Sequence, residues 1–236
     1  MKLPNLIATS MIATNMMKTE QLRETSQAFE SLRQFARKSE RGVQKCEMCS
    51  AELRSEHSHL IEFTQRRLHC ACDACAMLFS GQAGTKYRRV PRDARRLANF
   101  KMTDAEWDGL LIPINLAFFL KNSTDAQVSA LYPSPAGATE SLLPLEAWSS
   151  ILQANPMLSE LEADVEALLV NRVGQSRGTT MAEYYIVPID ACYKLVGLIR
   201  IHWRGLSGGT EVWKEIGNFF AELRASARVV AEEMHA

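Results

Sequence analysis

The chain has 236 residues, 47% of them hydrophobic, and 27 Lys/Arg balance 27 Asp/Glu for a formal net charge of zero. That length and apolar content suffice for one main domain with a small appended module. The balanced charge gives the whole molecule no electrostatic case for a nucleic acid or a membrane surface, and 6 cysteines are too few for a disulfide scaffold.

Residues 1–17 are mildly apolar but broken by Pro4, Asn5 and Asn15, so they lack the continuous apolar stretch of a signal peptide or a spanning helix. A cytoplasmic protein is expected. Residues 18–40 place Leu22, Phe29, Leu32 and Phe35 at helical spacing among charges, which predicts an amphipathic helix within an N-terminal extension, residues 1–42.

The next segment carries the clearest signal. Cys46-Glu-Met-Cys49 is followed by Cys70-Ala-Cys72-Asp-Ala-Cys75. Each Cys-x-x-Cys turn aims two sulfurs at one ion, and two such turns complete a tetrahedral shell. Cys46, Cys49, Cys72 and Cys75 are therefore the expected ligands of a structural zinc ion in a zinc-ribbon-like module, residues 43–100. The 22 residues between the turns compare with roughly 15–20 in the common pattern. Iron is the main rival, since four thiolates also suit it. Ser50 and Ala76 follow the turns where rubredoxin-like sites carry glycine, which favours zinc. Cys70 is a fifth thiol that either replaces Cys72, sits beside the metal or reacts. His57, His59 and His69 lie close enough in sequence to coordinate or titrate.

Residues 59–63 and 67–69 are expected to form the hairpin joining the two turns, and residues 76–79 to begin an apolar strand or helix. Gly81 and Gly84 then break the pattern. Nine Lys/Arg fall between residues 65 and 101, including Arg88, Arg89, Arg92, Arg95 and Arg96, against Asp73 and Asp93. Residues 122–171 hold seven acids and no base. Such asymmetry predicts either pairing between the two halves or a basic face for an acidic partner or a phosphate backbone.

Residues 101–236 read as an α+β domain, a mixed sheet packed with helices. The apolar run 110–119 suits a buried strand with an irregularity at Pro113. Residues 128–132 suit a short edge strand ending before a loop at 133–137. Leucine spacing predicts helices over 145–152 and 158–169, separated at Asn155-Pro156. Residues 184–189 and 195–203 read as a β-hairpin turning at 190–194, with Cys192 in the core or turn. A final helix begins near Thr210, its apolar face running from Val212 through Ile216, Phe219, Phe220, Leu223 and Ala227 to Val230. On the second strand of that hairpin, alternation would put Arg200, His202 and Arg204 on one face near Asp190, suited to an anion or a partner carboxylate.

No phosphate-cradling Gly-rich loop, His-Glu-x-x-His or Gly-x-Ser-x-Gly is present, so a non-catalytic role is favoured. The paired cysteine turns, Tyr184-Tyr-Ile-Val-Pro-Ile-Asp-Ala-Cys192, and Ile201-His-Trp-Arg-Gly-Leu-Ser-Gly-Gly-Thr-Glu-Val-Trp213 with its Phe-Phe helix resemble an uncharacterised bacterial family. Its members are often encoded beside uptake [NiFe] hydrogenases. The resemblance covers about residues 43–229. It implies an accessory protein with hydrogenase subunits or maturation factors as partners, and it carries no activity onto particular residues. A zinc-ribbon nucleic-acid-binding protein and a rubredoxin-like iron or redox accessory protein are the alternative readings.

Overall fold

In a computed structural model of the chain, residues 43–82, 84–141, 145–174 and 181–230 are described. The helix expected within 18–40 lies outside them. Among the described residues the strands form a three-stranded and a seven-stranded sheet.

The smaller sheet holds β1 (Ser58–Glu62), β2 (Arg67–Ala71) and β3 (Tyr87–Arg89), in order β2-β1-β3, with helix α1 (Asp73–Ser80) against it. The β1–β2 hairpin turns through Arg66, whose φ of 51° is left-handed. Side chains alternate across a strand, so β1 buries two faces. Leu60 packs with Cys46, Ala71, Cys75 and Ala76, whereas Ile61 joins Val90 and Leu68 in the main core.

The larger sheet is built from β4 (Arg95–Leu97), β5 (Leu116–Lys121), β6 (Val128–Ser134), β7 (Gly137–Ser141), β8 (Glu166–Asn171), β9 (Glu183–Pro188) and β10 (Arg228–Val230). Their order is β10-β4-β9-β8-β5-β6-β7, and the β10–β4 pairing is parallel. Helices α4 (Ile189–His202) and α5 (Gly209–Ser226) cover one face, taking Leu116, Phe118, Leu120, Ala167, Leu169, Tyr185 and Val187 into their core. Helices α2 (Asp104–Gly109) and α3 (Leu145–Ala154), with a 3-10 turn at Pro156–Glu160, cover the other, over Ala117, Phe119, Leu168, Val170, Tyr184 and Ile186. Burial on both faces makes β5, β8 and β9 continuous apolar runs.

That double burial explains where the fold departs from the sequence reading. Residues 158–169 form no helix: the 3-10 turn ends at Glu160, and Leu168 and Leu169 lie on opposite faces of β8. A short apolar run does not distinguish a buried strand from a helix. Residues 195–203 form no strand, and 190–194 no hairpin turn. All but Trp203 belong to α4, whose buried stripe is Ile189, Cys192, Leu195, Val196 and Ile199. The run 110–119 is strand only from Leu116, because Leu110 caps α2. Strand β6 is not an edge; β7 follows it through a tight turn at 134–137, and Pro133 lies beyond the pairing with β5. The basic tail expected to run to residue 100 contributes β4 to the larger sheet.

The final helix forms with Val212, Ile216, Phe219, Phe220 and Leu223 buried, but Gly208 and not Thr210 is its N-cap, and it ends at Ser226, so Ala227 is its C-cap and Val230 lies in β10. Gly208 has φ 87°, and a Cβ there would stand 2.8 Å from Val212 Cγ1. Glycine is what that approach admits.

At the edge of this core Glu183 accepts from Arg224 Nε at 2.8 Å, Tyr185 Oη at 3.1 Å and Asn171 Nδ2 at 3.1 Å. Burial alone would raise its carboxyl, but Arg224 and the other donors outweigh that and hold it below the ordinary glutamate value. A depressed carboxyl stabilises the fold above its unfolded pKa and loses that contribution as pH falls through the folded one. In thermal melts from neutral pH down through the glutamate range, Glu183→Gln is therefore expected to lose Tm less steeply than the wild-type chain. Parallel curves would assign Glu183 no part in acid lability.

Candidate metal centre

The first cysteine pair sits in a tight turn. Ser50 N donates to Cys46 O and Cys46 N to Ala51 O, each at 2.8 Å, and Ser50 adopts φ 62°. Glu47 ties this turn to β2: its backbone N donates to Cys70 O, its Oε1 accepts from Cys70 N at 2.9 Å, and its Oε2 lies 2.8 Å from His69 Nδ1. The second pair lies at a helix start. Cys72 is the N-cap of α1, and its sulfur accepts from Cys75 N at 3.5 Å. The arrangement is thus a turn, a hairpin and a helix N-terminus, in chain order.

These elements bring one sulfur each from Cys46, Cys49, Cys72 and Cys75 within 4.8 Å of one another, all as free thiols. Cys49 and Cys72 sulfurs are 3.8 Å apart. A tetrahedron with metal–sulfur bonds of about 2.3 Å has edges of about 3.8 Å, so the four sulfurs fit a metal ion. Their electrostatics make the same point. Burial pushes Cys75 up, and the neighbouring thiols push it further, to about 12. Burial also opposes ionisation of Cys46, but backbone donors at Cys72, Cys49 and Met48 outweigh it and bring that thiol down to about 6. Four sulfurs this close cannot all ionise unless a cation sits among them. Such a shell leaves no position for a substrate, so it suits a structural role.

The structure separates Cys70 from these four. The β1–β2 register sets Cys70 opposite His59, on the face that carries Ile61 and Leu68 toward the main core. His57, His59 and Cys70 form a group of their own. The hairpin expected over 59–63 and 67–69 stops short of Cys70, and only the observed register, with Glu62 opposite Arg67, sets His59 against Cys70. His69, on the other face, lies between Glu47 and Glu62. Cys192 is fully buried in α4, and burial raises its thiol.

Much of the basic stretch is paired within the chain. Arg88 reaches Asp164 at 3.2 Å, Arg92 reaches Asp73 at 3.1 Å, and Arg95 grips both oxygens of Glu166 at 2.7 and 2.8 Å. Arg66 lies 3.6 Å from Glu140. Arg66, Arg88 and Arg95 thus pair with acids of the 122–171 stretch, whereas Arg92 pairs with Asp73 of its own. Arg89 is exposed and Arg96 half-buried on β4. Arg200, His202 and Arg204 share no strand face, because α4 runs to His202. His202 pairs with Glu211 at 3.1 Å, and Arg204 caps the end of α4 by donating to Ile201 O and Trp203 O.

Fold and site together define a mixed α+β protein with a four-cysteine centre able to hold one metal ion. No helix among the described residues is long and apolar enough to cross a membrane. The chain belongs to the family of unknown function DUF5947, which it matches over residues 45–227. No curated protein and no solved structure matches it.

Proposed function

We propose that this chain is a cytoplasmic zinc-binding accessory protein that acts by interaction, not catalysis, and supports the assembly or function of [NiFe] hydrogenase. The observation that carries the zinc part is the four-sulfur cluster, whose 3.8 Å edge is that of a closed thiolate shell. A zinc-ribbon-like role follows from it: the ion holds turn, hairpin and helix together. The hydrogenase part rests on the resemblance carried by the paired cysteine turns together with residues 184–192 and 201–213. Pairing of Arg88, Arg92 and Arg95 within the chain leaves less free positive charge for the nucleic-acid alternative.

Elemental analysis of the full chain, purified anaerobically without added metal, is expected to give one tightly held zinc and no visible colour. Iron with charge-transfer bands would replace the structural reading with a redox one. A tagged chain expressed beside a [NiFe] hydrogenase is then expected to retain hydrogenase subunits or their maturation factors. No capture, together with unchanged hydrogenase maturation in cells lacking the chain, would remove the hydrogenase assignment.

A further inference from the structure

The second face of the β1–β2 hairpin holds a different set of donors. His59 and Cys70 oppose each other in register, His57 stands just before β1, and one ligand atom from each of the three lies within 4.8 Å of the others. Both rings are held from behind. His57 Nδ1 is 3.0 Å from the Arg54 carbonyl oxygen, which can only accept, and His59 Nδ1 is 2.8 Å from Asp190 Oδ2 in the first turn of α4. Protons assigned to Nδ1 on these partners leave the lone pair of each neutral ring on Nε2. His57 Nε2 is buried without a hydrogen-bond partner, which a buried polar atom seldom is.

We propose that His57, His59 and Cys70 form a second metal site, separate from the four-cysteine centre, that takes a divalent transition ion such as Zn2+. Two imidazoles and a thiolate are a borderline-soft donor set suited to zinc, cobalt or copper. A carboxylate behind a ligating histidine fixes its tautomer and raises its basicity, which makes Asp190 a positioning residue. Cys70 releases its proton to solvent as the ion binds. Three protein ligands leave a fourth position for water or an incoming ligand, and all three residues are half-buried. The ion here exchanges, whereas the four-thiolate ion stays.

Adding Co2+ alone to the full chain, purified with its tight ion, is expected to load one further equivalent and produce thiolate-to-cobalt absorption. His59→Ala and Cys70→Ser each remove that equivalent. Asp190→Ala retains it with about 10–100-fold weaker affinity. A tight equivalent that stays undiminished in His59→Ala and Cys70→Ser while the further one is lost supports a site distinct from the four-cysteine centre. Failure of the wild-type chain to take a further equivalent overturns the proposal without recourse to any variant, as does a further equivalent undiminished in both His59→Ala and Cys70→Ser.

Discussion

Cys49→Ala is expected to strip the tightly held ion and unfold the module. Cys49 is exposed, so its truncation removes a ligand and almost no packing. Structural four-ligand zinc sites contribute on the order of 10 kcal/mol to folding, more than a segment of this size gains from its own core. The module core among the described residues amounts to Cys46, Leu60, Ala71, Cys75 and Ala76 with a few half-buried neighbours, which is too little to hold alone. Elemental analysis should fall from one tight equivalent to none, and limited proteolysis should open cleavage sites within residues 45–90. Cys49→His should recover much of the ion, because imidazole is also a zinc ligand. Full metal content in Cys49→Ala would exclude Cys49 from the shell.

Arg95→Ala is expected to cost about 3–5 kcal/mol, because it leaves the Glu166 carboxylate buried without its cation. Glu166 is 8% exposed and accepts both Arg95 bonds as well as the backbone N of Glu162. Chemical denaturation of the wild-type and variant chains measures the loss directly. A double replacement, Arg95→Met with Glu166→Gln, should recover part of it, since no charge is then stranded. A variant that unfolds like the wild type would return Arg95 to the pool of free basic residues on which the nucleic-acid reading depends.

The clustering of Cys46, Cys49, Cys72 and Cys75 was legible in the sequence because it is carried by residue type and short spacing, which survive ignorance of the fold. The hairpin between them was equally legible, since its two strands are adjacent in the chain. What failed was the assignment of apolar segments buried on all sides. Leu168-Leu169-Val170 presents no polar face from which to read a period, and residues 195–203 are rich in branched side chains that suit strands yet form most of α4's last turns. Their state is decided by neighbours distant in the chain: β5 and β9 flank β8, and α5 packs beside α4. The charge asymmetry was visible as composition. Its resolution into pairs such as Arg95 with Glu166, 71 residues apart, required the sheet order, which sets β4 and β8 on either side of β9 so that the side chains meet across it.

Chain order along the four-cysteine centre and the proposed second site sets a sequence of events during synthesis. Every ligand of the four-cysteine centre has been translated by Cys75, and the three proposed ligands of the second site by Cys70. Asp190, which orients His59, emerges only after roughly a hundred more residues, or about 5–20 s of ribosome time. For that interval β4 also lacks its neighbours β9 and β10. Uptake of an ion by the four-cysteine centre is thus open well before the larger sheet closes, whereas the proposed second site is complete only once α4 has been made.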